Sequence, residues 1–271
     1  MNFTLESALE REFCDAKAVG EFFAENGYYH AKGVFSAEDI AVLEREFDRI
    51  VAQMQKSGEQ INARWGGEAI QKLDGGDSVI FHTHHVQIYS AAWLKALQHP
   101  KFLAVATAIL GEDVILHHTK LFQKPPEKGS PFPMHQDWTY FPSVKDTMIA
   151  GVIHVSDASD EMGCLRVTPG SHKLGRVEGT SGATQNDVLD AHPIEDALAV
   201  EAKAGDVVFF HYFTLHGSMP NRSSQTRKTV LVQMHAGDDE IEERGWGHPN
   251  ARLVLNGWNH QATRDTANAL K

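Results

Sequence analysis

The apolar positions change period midway along the chain. Through residues 37–55, AEDIAVLEREFDRIVAQMQ, Ile40, Leu43, Phe47, Ile50, Val51 and Met54 recur at three- and four-residue steps, the stripe of an amphipathic helix. Ser36 precedes it with Asp39 three residues on, a capping-box start. AKAVGEFFAEN (16–26) predicts a shorter helix stopped at Asn26-Gly27, and Tyr28 to Val34 a short strand. Residues 91–111 predict two short helices divided by Pro100 and closed by Gly111. Between these, 56–80 loses all period and gathers Gly66, Gly67, Gly75 and Gly76, the texture of a long loop. From Val114 the pattern is that of strands. VILHHTKLF, MHQDWTY, MIAGVIHVSD, GCLRVTPGSH, AGDVVFFHYFTLHG and KTVLVQMHA are short, β-rich and bounded by Gly, Pro, Asp or Ser. A second polar insertion covers 174–198. Helices first and strands later predict a mainly β fold with flanking helices, a helical layer on an antiparallel jelly-roll or barrel. No repeat or linker divides the chain. One domain over 1–271 is expected, with a helical part to about 112, a core over about 113–236 and a tail from 237.

Composition narrows the classes of function. The formal charge of -11 argues against a general nucleic-acid binder, which needs a basic surface. No apolar run approaches the ~20 residues that span a bilayer, and MNFTLESALEREF lacks the basic and apolar regions of a secretory signal. Two cysteines, Cys14 and Cys164, provide neither a disulfide framework nor a cysteine metal site, which fits a reducing cytoplasm. A monomer or homodimer acting on a small molecule is expected, with no nucleic-acid or membrane partner.

The candidate chemistry centres on MHQDWTYFP (134–142). His135 and Asp137 stand two apart in a run that reads as a strand, where alternate side chains share a face. An imidazole and a carboxylate there can grip a metal from one side, and His216 in FFHYFTLHGSMPNRS is the best third ligand. Two histidines and one carboxylate with open positions suit non-haem Fe(II) in an oxygenase. Taken alone, H-x-D among 16 histidines is also what chance produces. A rival nucleus is VIFHTHHVQIYS, where His82 and His84 share a strand face, although no carboxylate lies nearby. Eleven residues after His216 comes Arg227, which turn chemistry in PNRSSQT brings back alongside the His216 strand. A buried arginine needs an anionic partner, and a carboxylate is its natural mate. A dicarboxylate that chelates a metal at one end and meets Arg227 at the other accounts for both features, with Ser218 as a further hydroxyl donor.

This combination resembles the phytanoyl-CoA dioxygenase-like branch of the Fe(II)/2-oxoglutarate oxygenases. FQKPPEKGSPFPMHQDWTYFP, GCLRVTPGSHKLG and GDVVFFHYFTLHGSMPNRS with Arg227 occur in the family's order and spacing, and FAENGYYHAKGVFSAEDI resembles its N-terminal segment. The resemblance implies a double-stranded β-helix (jelly-roll, cupin-like), Fe(II), and 2-oxoglutarate and O2 as co-substrates. It implies His135, Asp137 and His216 as metal ligands, and Arg227, Ser218, Lys120 and Gln123 as contacts to 2-oxoglutarate. A tryptophan that the family carries near the co-substrate has no counterpart around Val152. The implied reaction decarboxylates 2-oxoglutarate to succinate and CO2 while oxidising a C–H bond. Related halogenases carry a small residue in place of the carboxylate, so Asp137 favours hydroxylation.

Substrate-facing residues are expected from the two polar insertions and the motif itself, with Arg64, Trp65, His84, Gln136, Trp138 and Tyr140 as candidates; Gln136 points to the strand face opposite the ligands. That mixture suits a small polar or anionic metabolite. The alternatives are an acyl-CoA 2-hydroxylase of the phytanoyl-CoA type and a non-catalytic metal- or ligand-binding jelly roll.

Overall fold

The computed structural model describes residues 13–57, 62–63, 80–127, 129–180, 186–242 and 252–264. Helix α1 (Ala16–Asn26) begins at Asp15, whose carboxylate accepts from the amides of Lys17 and Ala18, and ends at Gly27 in the left-handed region. Helix α2 (Ala37–Ser57) starts with the reciprocal cap: Ser36 Oγ accepts from the Asp39 amide at 3.1 Å, and Asp39 accepts from the Ser36 amide at 2.9 Å. Its whole apolar stripe is buried, in one cluster with Trp93, Phe102, Phe209, Val230 and Val232. Helices Ala91–Ala96 and Pro100–Leu110 flank it, divided at Pro100 as expected.

Two antiparallel sheets follow from the β-rich segments. The strands of the larger are β1 (Tyr28–Ala31), β2 (Asn62–Ala63), β3 (Ile80–His84), β4 (Val114–Lys124), β6 (Ile149–His154), β9 (Val207–His211), β11 (Arg227–Ala236) and β12 (Leu253–Asn256). Its order is β1-β9-β6-β11-β4-β3-β2, with β12 also pairing with β4. The smaller sheet runs β5-β10-β7-β8, with β5 at Phe132–His135, β7 at Leu165–Val167, β8 at Leu198–Val200 and β10 at His216–Ser218. This is a jelly-roll arrangement whose two sheets remain open rather than closing into a barrel. The larger sheet separates two environments. Along β11, Val230, Val232 and Met234 face the helices, while Arg227, Thr229, Leu231 and Gln233 face the cavity between the sheets.

Several elements depart from expectation. The strands expected from Tyr28 and around His82 are present as β1 and β3, whereas β2 in the long loop and β12 in the tail were not expected. The histidine-rich strand breaks at His85, a non-glycine residue at φ 60°, and the chain turns into a short helix, Val86–Tyr89. MHQDWTY is a strand only to His135, after which Asp137–Thr139 forms a 3₁₀ turn. AGDVVFFHYFTLHG divides into β9 and β10 about a tight turn. Arg227 is in the sheet opposite His216, not beside its strand: β11 pairs with β4 and β6. Arg64 and Trp65 lie outside the described residues.

The segment behind the metal motif is held by one buried acid. Asp239 accepts from the amides of Lys145 and Thr147 and from the hydroxyls of Ser143 and Thr147, at 2.6 to 3.0 Å. Burial works to raise its pKa, but these donors outweigh it and hold the group below 3.8. A depressed folded pKa stabilises above the unfolded pKa and is lost as pH falls through the folded one. Asp239→Asn is therefore expected to lower stability by about 2 kcal/mol at pH 7. The gap to wild type in urea midpoint should narrow as the pH is taken below about 4.

Candidate metal centre and ligand cavity

The register of the smaller sheet builds the site. His216 on β10 pairs directly with His135 on β5, so the two imidazoles meet across one rung, with ring centroids 4.1 Å apart. The chain then leaves the sheet. Gln136 turns its wholly buried carboxamide away from the cavity, donating to Gly175 O and Phe213 O and accepting from Trp138 Nε1 and the Val177 amide. The Asp137 amide donates to Tyr212 O at 2.9 Å, which swings its carboxylate back toward the histidines. Asp137 Oδ1 lies 3.4 Å from His135 Nε2 and 3.6 Å from His216 Nε2. Residues two apart thus meet through a turn rather than through a shared strand face.

Both imidazoles are oriented from behind. His135 Nδ1 bonds Pro133 O at 2.8 Å and His216 Nδ1 bonds Thr214 O at 2.9 Å, so both Nε2 atoms turn inward. Burial, with the neighbouring His135, pushes His216 down to about 4. Burial acts against the Asp137 carboxylate, but His216, His135 and Lys120 together hold its pKa below the usual range. A neutral His216 imidazole beside an ionised Asp137 carboxylate is the form in which these two groups bind a metal. The three ligand atoms lie within 4.8 Å of one another, and among the described residues no other histidine, cysteine and acid cluster of three does so. The rival pair His82 and His84 has no third member there. Two nitrogens and one oxygen on one side, facing a cavity, fit Fe(II) with positions left open.

The cavity is about 350 Å³ and runs along the inner face of β11. Strand register organises its wall in rows. Arg227 pairs with Lys124, Thr229 with Phe122 and His154, Leu231 with Lys120 and Val152, and Gln233 with His118 and Ala150. Beyond β4, His84 of β3 stands beside Lys120. One end is therefore Arg227 with Ser218 beneath it, the middle faces the metal ligands, and the far end carries His84, His118, Tyr140 and Gln233.

At the first end, Arg227 is buried and donates to Gly163 O, while its Nε has no partner among the described residues. Gly163 is in the left-handed region at φ 66°, and a Cβ there would fall 2.1 Å from Met219 O, so only glycine presents this carbonyl to the arginine. Burial lowers the Arg227 pKa to about 10, and its neighbour of opposing effect is the Cys164 thiol rather than a carboxylate. At the far end, Gln233 is fully buried with both carboxamide atoms unpartnered among the described residues. Burial and the nearby Asp137 charge push Tyr140 up to about 12, so it stays a neutral donor.

Of the expected co-substrate contacts, Arg227, Ser218 and Lys120 line the cavity. Gln123 alternates to the other face of β4 and does not, whereas Lys124, overlooked in the sequence, stands behind the lining and reaches Ser218 Oγ with its Nζ. Of the expected substrate contacts, His84 and Tyr140 line it. Gln136 is instead a buried brace for residues 175–180, and Trp138 packs with Phe141, Met148, Tyr212 and Phe213 under the Arg176 guanidinium. His118, His154 and Gln233, which also line the cavity, were missed in the sequence.

Gln136→Leu is expected to lower stability by about 3 kcal/mol, because it strands two carbonyls and an indole N–H in the interior. It should leave the affinity for 2-oxoglutarate within about twofold of wild type. Chemical denaturation and calorimetric titration check the two parts.

Comparison with known proteins gives a consistent result. The family model described as phytanoyl-CoA dioxygenase (PhyH) matches residues 23–229. A probable alpha-ketoglutarate-dependent hypophosphite dioxygenase of Stutzerimonas stutzeri is 27% identical over 229 residues, covering 80% of this chain and 77% of that protein. The peroxisomal phytanoyl-CoA dioxygenase of Mus musculus is 28% identical over 248 residues, covering 87% and 73%. In fold, the chain is similar to the non-heme alpha ketoglutarate dependent carbocyclase SnoK from nogalamycin biosynthesis. The TM-score is 0.72 at 24% identity, over 90% of this chain and 94% of that one.

Proposed function

The chain belongs to the phytanoyl-CoA dioxygenase family of Fe(II)/2-oxoglutarate-dependent dioxygenases, and we propose that it hydroxylates an aliphatic C–H bond of a small polar or anionic metabolite. The observation that carries this reading is the two-ended cavity. Among the described residues, a buried guanidinium without a carboxylate stands at one end, and a carboxamide without a partner, among histidines, at the other. A volume of about 350 Å³ is at the low end for ligand clefts, and 2-oxoglutarate takes part of it. The remainder suits a compact substrate better than a long acyl chain.

In this reading His135, Asp137 and His216 would hold the iron, which when bound would supply the O2 chemistry that is coupled to conversion of 2-oxoglutarate to succinate and CO2. Arg227 and Ser218 bind the distal carboxylate of 2-oxoglutarate, and that contact sets where its other end meets the metal. Lys120, beside Asp137, adds positive potential at the middle of the cavity. Phe132, Phe210, Val152 and Leu231 exclude water from the reacting centre. The substrate lies over Gln233, whose carboxamide offers an NH2 group as donor and a carbonyl oxygen as acceptor, with His84, His118 and Tyr140 around it. We further infer that the chain acts as one catalytic domain, since strands from its beginning and its tail join a single sheet. Two free thiols, Cys14 and Cys164, support a cytoplasmic site of action, and no helix among the described residues is long and apolar enough to cross a membrane.

The test is succinate release from 2-oxoglutarate with Fe(II), across a panel of phosphorus oxyanions, amino-acid derivatives and an acyl-CoA. A small polar compound should stimulate release and gain one oxygen atom, and Asp137→Ala should reduce turnover by at least about 100-fold. Stimulation by the acyl-CoA alone would contradict the small-substrate reading. Gln233→Leu is expected to weaken half-saturation by the stimulating compound about tenfold, while half-saturation by the oxo-acid co-substrate stays within about twofold of wild type.

A further inference from the structure

Resting on the reading that this cavity takes 2-oxoglutarate, we propose that Lys124 is a positioning residue for the distal carboxylate. It polarises Ser218 toward the ligand and adds a second positive charge beside Arg227. Lys124 ends β4 directly opposite Arg227 on β11, and its side chain is 1% exposed. Its Nζ donates to Ser218 Oγ at 2.8 Å and to Met219 O at 2.7 Å.

The direction of the first bond has a chemical consequence. Burial and the neighbouring Arg227 push the Lys124 pKa well down, so an anion bound beside the pair is what would hold it as an ammonium; in that form it has protons and no lone pair, and Ser218 Oγ accepts from it. The serine hydroxyl then has its own proton left to give, and among the described residues no acceptor takes it. Ser218 lines the cavity. Lys124 therefore converts Ser218 into a donor aimed at whatever anion lies against Arg227.

The charge balance points the same way. Lys124 and Arg227 are both buried, the Arg227 charge works against that of Lys124, and among the described residues the acidic group acting on either is the Cys164 thiol. Two adjacent buried cations are unfavourable until an anion joins them. A carboxylate bound by Arg227 and Ser218 would be that counter-ion for both.

The surroundings keep the lysine in place. Gly129 leaves room for its stem, since a Cβ there would fall 2.2 Å from Lys124 Cγ. Asn221 Nδ2 donates to the carbonyls of Lys124 and Pro125 at 3.1 Å and of Gln225 at 2.7 Å, fastening the end of β4 to the turn that leads into Arg227. A lysine that merely filled this space would be indifferent to the ligand's distal group, and that difference can be measured.

The experiment compares two ligands by calorimetry on the Mn(II)-loaded protein. One is 2-oxoglutarate. The other is 2-oxopentanoate, which keeps the chelating head and carries a methyl group where the distal carboxylate stands. Wild type should prefer 2-oxoglutarate by about 100-fold or more. Lys124→Met should weaken 2-oxoglutarate by about tenfold or more and leave 2-oxopentanoate within about twofold. In a Ser218→Ala background, the loss caused by Lys124→Met should be smaller, because the relayed part has already gone. Equal weakening of both ligands, or an unchanged preference, overturns the proposal. Should Lys124→Met fail to fold, Lys124→Gln keeps a donor without the charge and must still reduce the preference. A wild type without any preference would overturn the reading of the cavity itself, whereas a preference untouched by either Lys124 variant overturns only this inference.

Discussion

A buried guanidinium that meets a carbonyl and no carboxylate is the constraint on which the cavity depends. Arg227 cannot be left uncompensated at low cost, and the fold places no acid beside it among the described residues. Its neighbours, Lys124 and Ser218, strengthen the demand for an anion instead of satisfying it. At the middle of the same cavity, His135, Asp137 and His216 form the complementary pole, a donor set for a cation. A molecule with a carboxylate at each end and a keto group next to one of them answers both poles at once.

The two sheets divide this labour. The smaller holds the metal-facing histidines by one cross-strand rung and leaves Asp137 to a turn, so their spacing is set by backbone hydrogen bonds. In the larger sheet, β11 acts as the spine. Its outward residues are locked against α2 and the helix Pro100–Leu110, and its inward residues run from the anion-seeking end to Gln233. Rigid packing behind β11 thus fixes the distance between the ends of the cavity.

Much of this was legible in the sequence. The α2 stripe, the capping box and the strand-rich second half follow from local patterns that packing reinforces. Arg227 was identifiable by its spacing from His216, yet its sheet was not, because a turn leaves open which neighbour the next strand chooses. The errors cluster where alternation ends. Gln136 and Trp138 sit in and beside a 3₁₀ turn, where neither side chain obeys a strand parity, and both became braces for the interior. Gln123 is the reverse case: parity from Lys120 already excluded it and favoured Lys124. Gln233 and His118 were hidden because a buried polar residue on a strand has no signature until its partners are known to be missing.

The account's central claim is that the metal pole and the cation pole bind one dicarboxylate between them. The most direct measurement is an anaerobic titration of wild type and Arg227→Met, first with Fe(II) and then with 2-oxoglutarate, following the visible charge-transfer absorption of a 2-oxo acid chelated to iron. The account predicts that both proteins take up one Fe(II) and that wild type develops the absorption as 2-oxoglutarate is added. Arg227→Met should develop it only at concentrations about 100-fold higher. Iron uptake by wild type without that absorption, or identical 2-oxoglutarate titrations for the two proteins, would contradict it.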